Sequence, residues 1–130
     1  MQKTIEQLMT KEVVVIDFKT KFSKILEFFN EFRMNHLPVV YNNKLVGMIS
    51  IRDVLATYYK HLGDPSSFTL ENIDEKFKVE DIMTKDVHSI KASASRSDAA
   101  ETFRNNKFRS LPVTNNDGQL IGIITPLDLI

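Results

Sequence analysis

The sequence HLPVVYNNKLVGMISIRD, residues 36–53, returns in closely similar form as SLPVTNNDGQLIGIITPLD at residues 110–128. Both stretches contain Leu-Pro-Val, an asparagine-rich turn and an apolar run around one glycine. Each then ends on a hydroxyl residue with an aspartate three positions later. A repeat of this length indicates that the chain is built from two copies of one structural unit.

The similarity extends beyond these stretches. Shifting the chain by 74 positions places LMTKEVVVI (8–16) on IMTKDVHSI (82–90), and after the asparagine turn the shift becomes 75. Two copies are too few for a solenoid, so two halves packed about a pseudo-twofold axis suit them better. Between 9–41 and 83–115 there are 11 identical pairs, which in the first copy are Met9, Thr10, Lys11, Val13, Ile16, Ser23, Glu27, Phe29, Leu37, Pro38 and Val39.

Each copy predicts the element order β-α-β-β-α, which makes the fold class α+β with two such repeats. Apolar spacing and asparagine-rich turns set the element boundaries. The predicted strands are 13–16, 37–41 and 45–49 with 87–90, 111–114 and 120–124, and the predicted helices are 21–34, about 52–62, and 95–107. Repeat 1 is expected at 1–62, a linker with room for one helical turn at 63–76, and repeat 2 at 77–130 with its last helix short or truncated.

Composition excludes several functional classes. The 130 residues contain no cysteine, so disulfides and thiol catalysis are excluded. Seventeen basic and 17 acidic residues cancel, which argues against a nucleic-acid binder. Without an apolar leader or a run long enough to span a bilayer, the expectation is a soluble cytoplasmic domain with no membrane partner.

The repeated hydroxyl-x-x-aspartate supports two interpretations. Ser50 with Asp53, and Thr125 with Asp128, fit helix capping boxes, and capping alone would explain all four residues. Alternatively, a helix amino terminus and its hydroxyl suit a phosphate, while an acid one turn later can accept hydrogen bonds from a ribose. The preceding glycines, Gly47 and Gly122, are expected to allow close backbone approach.

Taken together, IMTKDV with LMTKEV, HLPVV with SLPVT, and the two Gly-apolar-apolar-[Ser/Thr]-x-x-Asp endings resemble the cystathionine β-synthase (CBS) motif. Nearly the whole chain resembles a CBS domain pair, or Bateman module. The resemblance implies binding of an adenosyl ligand: AMP, ADP, ATP, S-adenosylmethionine, or sometimes NAD or a dinucleoside polyphosphate. It also implies regulation of an attached or partner protein, with neither catalysis nor a catalytic cofactor.

The resemblance also implies site residues in two clefts, in which the aspartate holds the ribose and the hydroxyl residue faces phosphate. His36 and Arg109 precede or flank Leu-Pro-Val and are candidates for phosphate contacts. The ligand, the occupied cleft, the partner and the direction of regulation stay open. The implied residues are Ser50, Asp53, Thr84, Val87 and His88 for one cleft, and Thr125, Asp128, Thr10, Val13 and Val14 for the other.

Further side chains bear on metal binding and association. His36, His61 and His88 share no metal-ligand spacing, so no metal site is expected. Phe28 and Phe32 widen the apolar face of the first helix and predict a homodimer interface, because exposed apolar patches usually meet a partner. A broader contact with the linker is the alternative interpretation of these two residues.

Three functions compete at this point. The leading one is a regulatory nucleotide-binding module, and the second is a dimerisation or protein-interaction module with unoccupied clefts. An enzyme ranks last, because the chain offers no activated nucleophile, metal set or acid–base pair. The chain could also be a regulatory piece of a larger enzyme or transporter.

Overall fold

A computed structural model describes residues 3–32, 34–61 and 70–130. Residues 63–69 of the predicted linker lie outside this description. In chain order the elements are α1 (Ile5–Leu8), α2 (Phe22–Phe32), β1 (His36–Tyr41), β2 (Lys44–Ser50), α3 (Ile51–His61), α4 (Leu70–Lys76), α5 (Val79–Ile82), β3 (Ile90–Lys91), α6 (Arg96–Asn105), β4 (Leu111–Thr114), β5 (Leu120–Ile124) and a 3₁₀ turn (Pro126–Leu129).

The chain divides into two compact units that do not follow the sequence repeats. Unit 1 consists of the segment ending at Val13, the hairpin tip Asn42–Leu45, and the chain from His88 to Ile130; unit 2 consists of Val14–Tyr41 and Val46–Val87. Each unit therefore contains the opening segment of the other repeat. The repeat boundaries expected from the sequence remain predictions.

In unit 2, the β1–β2 hairpin is extended by one bridging residue on each side. Ile16 pairs in parallel with Val39 of β1, and Thr84 pairs antiparallel with Met48 of β2. One apolar core lies between this sheet and helices α2 to α5. Helix α2 contributes apolar side chains at helical spacing, so that they share the face turned to the core. The buried members of this core are Ile16, Phe22, Ile25, Phe29, Leu37, Val39, Ile49, Val54, Ile73 and Val79.

Unit 1 has the corresponding arrangement. Its sheet has the order β3-β4-β5, with β3 parallel to β4 and β4 antiparallel to β5. Thr10 pairs antiparallel with Ile123 of β5 and so adds the opening segment of repeat 1 to this sheet. The buried core consists of Ile5, Met9, Ile90, Ala99, Leu111, Val113 and Ile124.

Both predicted hairpin turns are confirmed. Asn42 and Asn43 have φ of 50° and 65°, and Gly118 has φ of 80°. Asparagine and glycine tolerate this left-handed region better than other residues, so the turn chemistry explains the tight connections.

The expected strands at 13–16 and 87–90 were too long. In the described chain, the first provides only the bridging residue Ile16, and the second is replaced by the two-residue strand Ile90–Lys91. The helical turns α1 and α5, which open the two repeats, were not predicted. They form because each buries one side chain completely, Ile5 in unit 1 and Val79 in unit 2.

The expected linker contains a packed two-turn helix rather than a single loose turn. Helix α4 buries Ile73 to 2% exposure, and Phe77 just after it lies edge-on to Phe22 with ring centroids 5.0 Å apart. The Asp74 carboxylate accepts hydrogen bonds from the main-chain N–H and the hydroxyl of Ser23, at 2.9 and 2.7 Å. Since these contacts join α4 to the start of α2, α4 is part of unit 2.

No helix in the described ranges has the length and apolar character that crossing a membrane requires.

Candidate ligand-binding sites

The first hydroxyl-x-x-aspartate closes a capping box at the start of α3. Ser50 N–H donates to Asp53 Oδ2 at 2.8 Å, and Asp53 N–H donates to Ser50 Oγ at 3.2 Å. Both residues are half-buried. The capping interpretation is therefore confirmed here, and it involves only one oxygen of the Asp53 carboxylate.

The second copy uses a related but different set of bonds at the 3₁₀ turn. Thr125 N–H donates to Asp128 Oδ2 at 2.8 Å, and the Thr125 hydroxyl donates to the same oxygen at 3.2 Å. Within the described chain, Oδ1 of Asp128 accepts no hydrogen bond, as is also true of Oδ1 of Asp53. Each copy therefore holds a fixed, half-buried carboxylate with one oxygen available.

The predicted threonines, Thr84 and Thr10, pair with the strands that lead to these boxes, β2 and β5. Thr84 exchanges both main-chain hydrogen bonds with Met48, at 3.0 and 2.8 Å, and Met48 lies two residues before Ser50. Thr10 exchanges both with Ile123, at 2.9 Å each, and Ile123 lies two residues before Thr125. Each unit thus brings together a threonine from one repeat and a capping aspartate from the other.

The repeated glycines allow close backbone approach, as expected, and the backbone that approaches is the Met-Thr segment of the other repeat. A Cβ on Gly47 would lie 2.4 Å from Met83 Sδ and 3.1 Å from the Thr84 carbonyl oxygen. A Cβ on Gly122 would lie 2.4 Å from Met9 Sδ and 2.9 Å from the Thr10 carbonyl oxygen. A side chain at either position would collide with this segment, which explains why a glycine recurs at this point of both copies.

The segment before Leu-Pro-Val lies at the first turn of α3. The carbonyl of Asn35 accepts a hydrogen bond from Ile51 N–H at 2.9 Å, and His36, which follows it, is half-buried as the first residue of β1. Arg109 is exposed and corresponds to Asn35 at the shift of 74. Asn35 was not singled out from the sequence, although its position before the repeated Leu-Pro-Val was the available signal.

Most of the residues predicted for each ligand site belong to one unit, but His88 and Val14 do not belong to the unit that holds the rest of their site. His88 belongs to unit 1 and packs on Phe108 with ring centroids 4.7 Å apart, while Val14 belongs to unit 2 and packs against its core. The roles of these two residues remain predictions. Unit 2 holds Ser50, Asp53, Thr84, Val87 and His36, and unit 1 holds Thr125, Asp128, Thr10, Val13 and Arg109.

Of the predicted interface pair, only Phe32 is strongly exposed, at 45%. Phe28 is half-buried, packs partly on the core of unit 2, and has Lys24 Nζ 5.2 Å from its ring centroid. The two rings lie 6.0 Å apart. No group of three or more histidine, aspartate or glutamate side chains in the described ranges could hold a metal ion.

Comparison with known proteins identifies the repeated unit. The CBS domain model matches residues 5–60 and 79–130, which covers both predicted repeats. A CBS domain-containing protein of Dictyostelium discoideum is 33% identical over 132 residues, spanning 100% of this chain and 90% of that protein.

Other relatives are longer. Inosine-5'-monophosphate dehydrogenase of Methanocaldococcus jannaschii is 30% identical over 129 residues, which span 98% of this chain but only 23% of the enzyme. Two further proteins of that organism match over 44% and 45% of their lengths. The chain thus spans less than half of these three relatives, and the dehydrogenase similarity concerns a part of that enzyme.

Solved structures agree with the family assignment. The CBS-pair protein CBSX2 from Arabidopsis thaliana is 32% identical, with a TM-score of 0.79 over 99% of this chain and 92% of that one. CBSX2 has also been crystallised in complex with AMP, in a structure that matches with a TM-score of 0.78 over 98% and 93%. These similarities confirm the predicted fold class and the tandem repeat, and the chain belongs to the CBS domain family as a tandem CBS pair.

Proposed function

We propose that this CBS pair is a regulatory module that binds an adenosyl ligand at two sites, with AMP as the first candidate. The ligand prediction rests on family membership and on CBSX2, which is 32% identical and was crystallised with AMP. ADP, ATP, S-adenosylmethionine and NAD are the other candidates that the family resemblance implies.

The observation that carries this proposal is the single available oxygen on each capping aspartate. Asp53 and Asp128 are each oriented by a hydrogen bond of 2.8 Å to Oδ2, so Oδ1 can accept from a ribose hydroxyl without breaking the cap. A carboxylate held in place by its neighbours loses little conformational freedom on binding, which favours affinity.

The predicted phosphate contacts differ between the two sites. At the unit 2 site, the Ser50 hydroxyl accepts from Asp53 N–H and keeps its own hydrogen for donation to a phosphate. The exposed Arg52 lies between Ser50 and Asp53 in the sequence, and His36 is the implied phosphate contact of this site. At the unit 1 site, Arg109 is the proposed phosphate contact, and Thr125, Thr10 and Val13 belong to the set of residues that the family resemblance implies there.

Ligand binding would regulate a partner or an attached domain, which is the role that the family resemblance implies. We propose a cytoplasmic location and a homodimer as part of this function. The homodimer is favoured by the ring pair Phe28 and Phe32, whose counterparts in repeat 2 are the polar Thr102 and Asn106. An interaction module with unoccupied sites is the competing function that the same observation supports.

The decisive experiment is calorimetric titration of ligand-free protein with AMP, followed by ADP, ATP, S-adenosylmethionine and NAD. Asp53→Asn and Asp128→Asn keep an oxygen for the cap but replace the other one with an amide. Each should weaken one site by roughly ten- to a hundredfold, because a hydrogen bond to a charged group is lost.

Asp98→Asn is the matched control. Asp98 closes a third capping box with Ser95, at 3.2 and 3.0 Å, but lies outside the predicted sites. This variant should bind like the wild-type protein. Absence of binding by all five ligands would contradict the nucleotide function and favour the interaction module.

A further inference from the structure

Unit 2 contains a groove that the proposed nucleotide sites do not use. It has a volume of about 550 Å³ and lies between residues 15–17, the start of α2, and Val40 of β1. The residues proposed to bind the adenosyl ligand are absent from its lining. The groove therefore needs a separate explanation.

One wall of this groove is the extended main chain beside Ile16, the single residue that bridges to β1 here. Ile16 N–H donates to the Pro38 carbonyl at 3.0 Å, and its own carbonyl accepts from Val40 N–H at 2.9 Å. Successive residues of a strand direct these groups to opposite edges, so the N–H and C=O of Val15 belong to the outer edge. Within the described chain Val15 makes no hydrogen bond, and its side chain is 38% exposed.

The apolar surface of the groove is present in one repeat only. Val15, Phe28 and Val40 line it, and at the shift of 74 their counterparts are Ser89, Thr102 and Thr114. Repeat 2 forms its parallel strand pair and its helix with these polar residues. The apolar lining is therefore not required by the fold, and an exposed apolar surface of this kind is typical of an interaction site.

The charged side chains of the groove differ in the partners that they have. The Asp17 carboxylate accepts hydrogen bonds from Lys19 N–H at 2.8 Å and from the Thr20 hydroxyl at 3.3 Å, and Glu27 pairs with Lys24 at 3.5 Å. Lys21 is exposed and forms no ion pair among the described residues. The groove thus offers Lys21 as a cation without an ionic partner, while Glu27 is paired with Lys24 and Asp17 is hydrogen-bonded by uncharged groups.

We propose that this groove binds an extended peptide segment of a partner protein, added as a strand alongside Val15. An apolar side chain of the peptide packs on Phe28 and Val40, so the peptide competes with the proposed homodimer contact for Phe28, and an acidic residue faces Lys21. Strand addition satisfies both free main-chain groups of Val15 at once, which is the usual source of affinity in this mode of recognition. Lys21 then selects for acidic peptides.

The test is selection from a phage-displayed library of random peptides on the full chain. The matched counter-selection uses Val15→Ser, Lys21→Ser and Phe28→Thr together, the residues that repeat 2 carries at these positions. Selected peptides should be acidic, with apolar residues alternating, and should bind this triple variant at least about tenfold more weakly. Hydrogen exchange of the Val15 amide should slow in the complex.

A second variant guards against loss of folding. Lys21→Glu changes one exposed side chain and should weaken an acidic peptide roughly fivefold, the scale of an exposed charge contact. Phe32→Lys lies outside the groove lining and should bind the peptide at least as tightly as the wild-type protein, because loss of the dimer contact leaves Phe28 accessible. Recovery of no groove-dependent peptide, recovery of basic ones, or an unprotected Val15 amide would overturn the proposal.

Discussion

Asp74 accepts two hydrogen bonds from Ser23, one from its main-chain N–H at 2.9 Å and one from its hydroxyl at 2.7 Å. The two residues are 51 positions apart. An unpaired N–H in the first turn of a helix is normally satisfied by a residue just before it, yet here a side chain of α4 performs this task for α2. The start of α2 therefore depends on the helix between the two repeats.

Asp74→Ala should lower the free energy of unfolding by about 1–2 kcal/mol, because an amide and a hydroxyl both lose their acceptor. Urea unfolding followed by circular dichroism measures the change. Glu75→Ala removes the neighbouring exposed carboxylate and should leave stability within about 0.5 kcal/mol of the wild type. Equal stability of both variants would show that the Asp74 contact contributes nothing.

Ile73→Ala tests whether α4 belongs to the core of unit 2. Ile73 is 2% exposed, so its truncation should cost about 2–5 kcal/mol through lost burial and the cavity left behind. Differential scanning calorimetry is the suitable measurement. A loosely attached linker would instead tolerate the change with a cost below about 1 kcal/mol.

Gly122→Ala should destabilise the protein more than Gly47→Ala. The Cβ on residue 122 would meet a main-chain oxygen of Thr10 at 2.9 Å, whereas at residue 47 the side chain of Met83 can move and the Thr84 carbonyl oxygen lies at 3.1 Å. We expect about 1–3 kcal/mol for Gly122→Ala, the range for overpacking, measured by denaturant unfolding. Met83→Ala should partly rescue Gly47→Ala, because it removes the flexible obstacle.

Phe28→Lys combined with Phe32→Lys should yield monomers in multi-angle light scattering if these residues form the dimer interface. In the dimer the two lysine charges would be buried in an apolar contact, which is costly, whereas in the monomer they stay in water. Thr102→Lys with Asn106→Lys at the corresponding positions of repeat 2 is the control and should leave the mass unchanged. An unaltered mass for the phenylalanine variant would refute the proposed interface.

Much of the fold was predictable because its signals are local. Helices expected at 21–34 and 95–107 are observed as Phe22–Phe32 and Arg96–Asn105, and the asparagine-rich hairpins occur where turn chemistry placed them. Helix α4 was expected only as a single helical turn, because it has no counterpart in the other repeat and follows a stretch rich in helix breakers. Its stability comes from burial of Ile73, which depends on tertiary contacts.

In the candidate sites, too, features with a local sequence signal were predictable and features that depend on tertiary contacts were not. The Ser50–Asp53 and Thr125–Asp128 pairs were recognised from their spacing, and their capping bonds follow from that spacing alone. The roles of Met9 and Met83 could not be predicted, since they depend on which strand receives the opening segment of each repeat. The ligand-binding roles of the residues in the two candidate sites remain predictions, which the titrations above would test.

The first segment of each repeat pairs with the sheet of the other repeat, and this exchange matters for inheritance and for engineering. A mutation in the Met-Thr segment of one repeat would disturb the sheet that leads to the capping aspartate of the other repeat. The mutation and the aspartate that it affects would therefore lie in different halves of the gene. Sequence changes in one repeat are therefore constrained by the other. Replacing one repeat with that of a relative would also require the relative's opening segment from the other repeat.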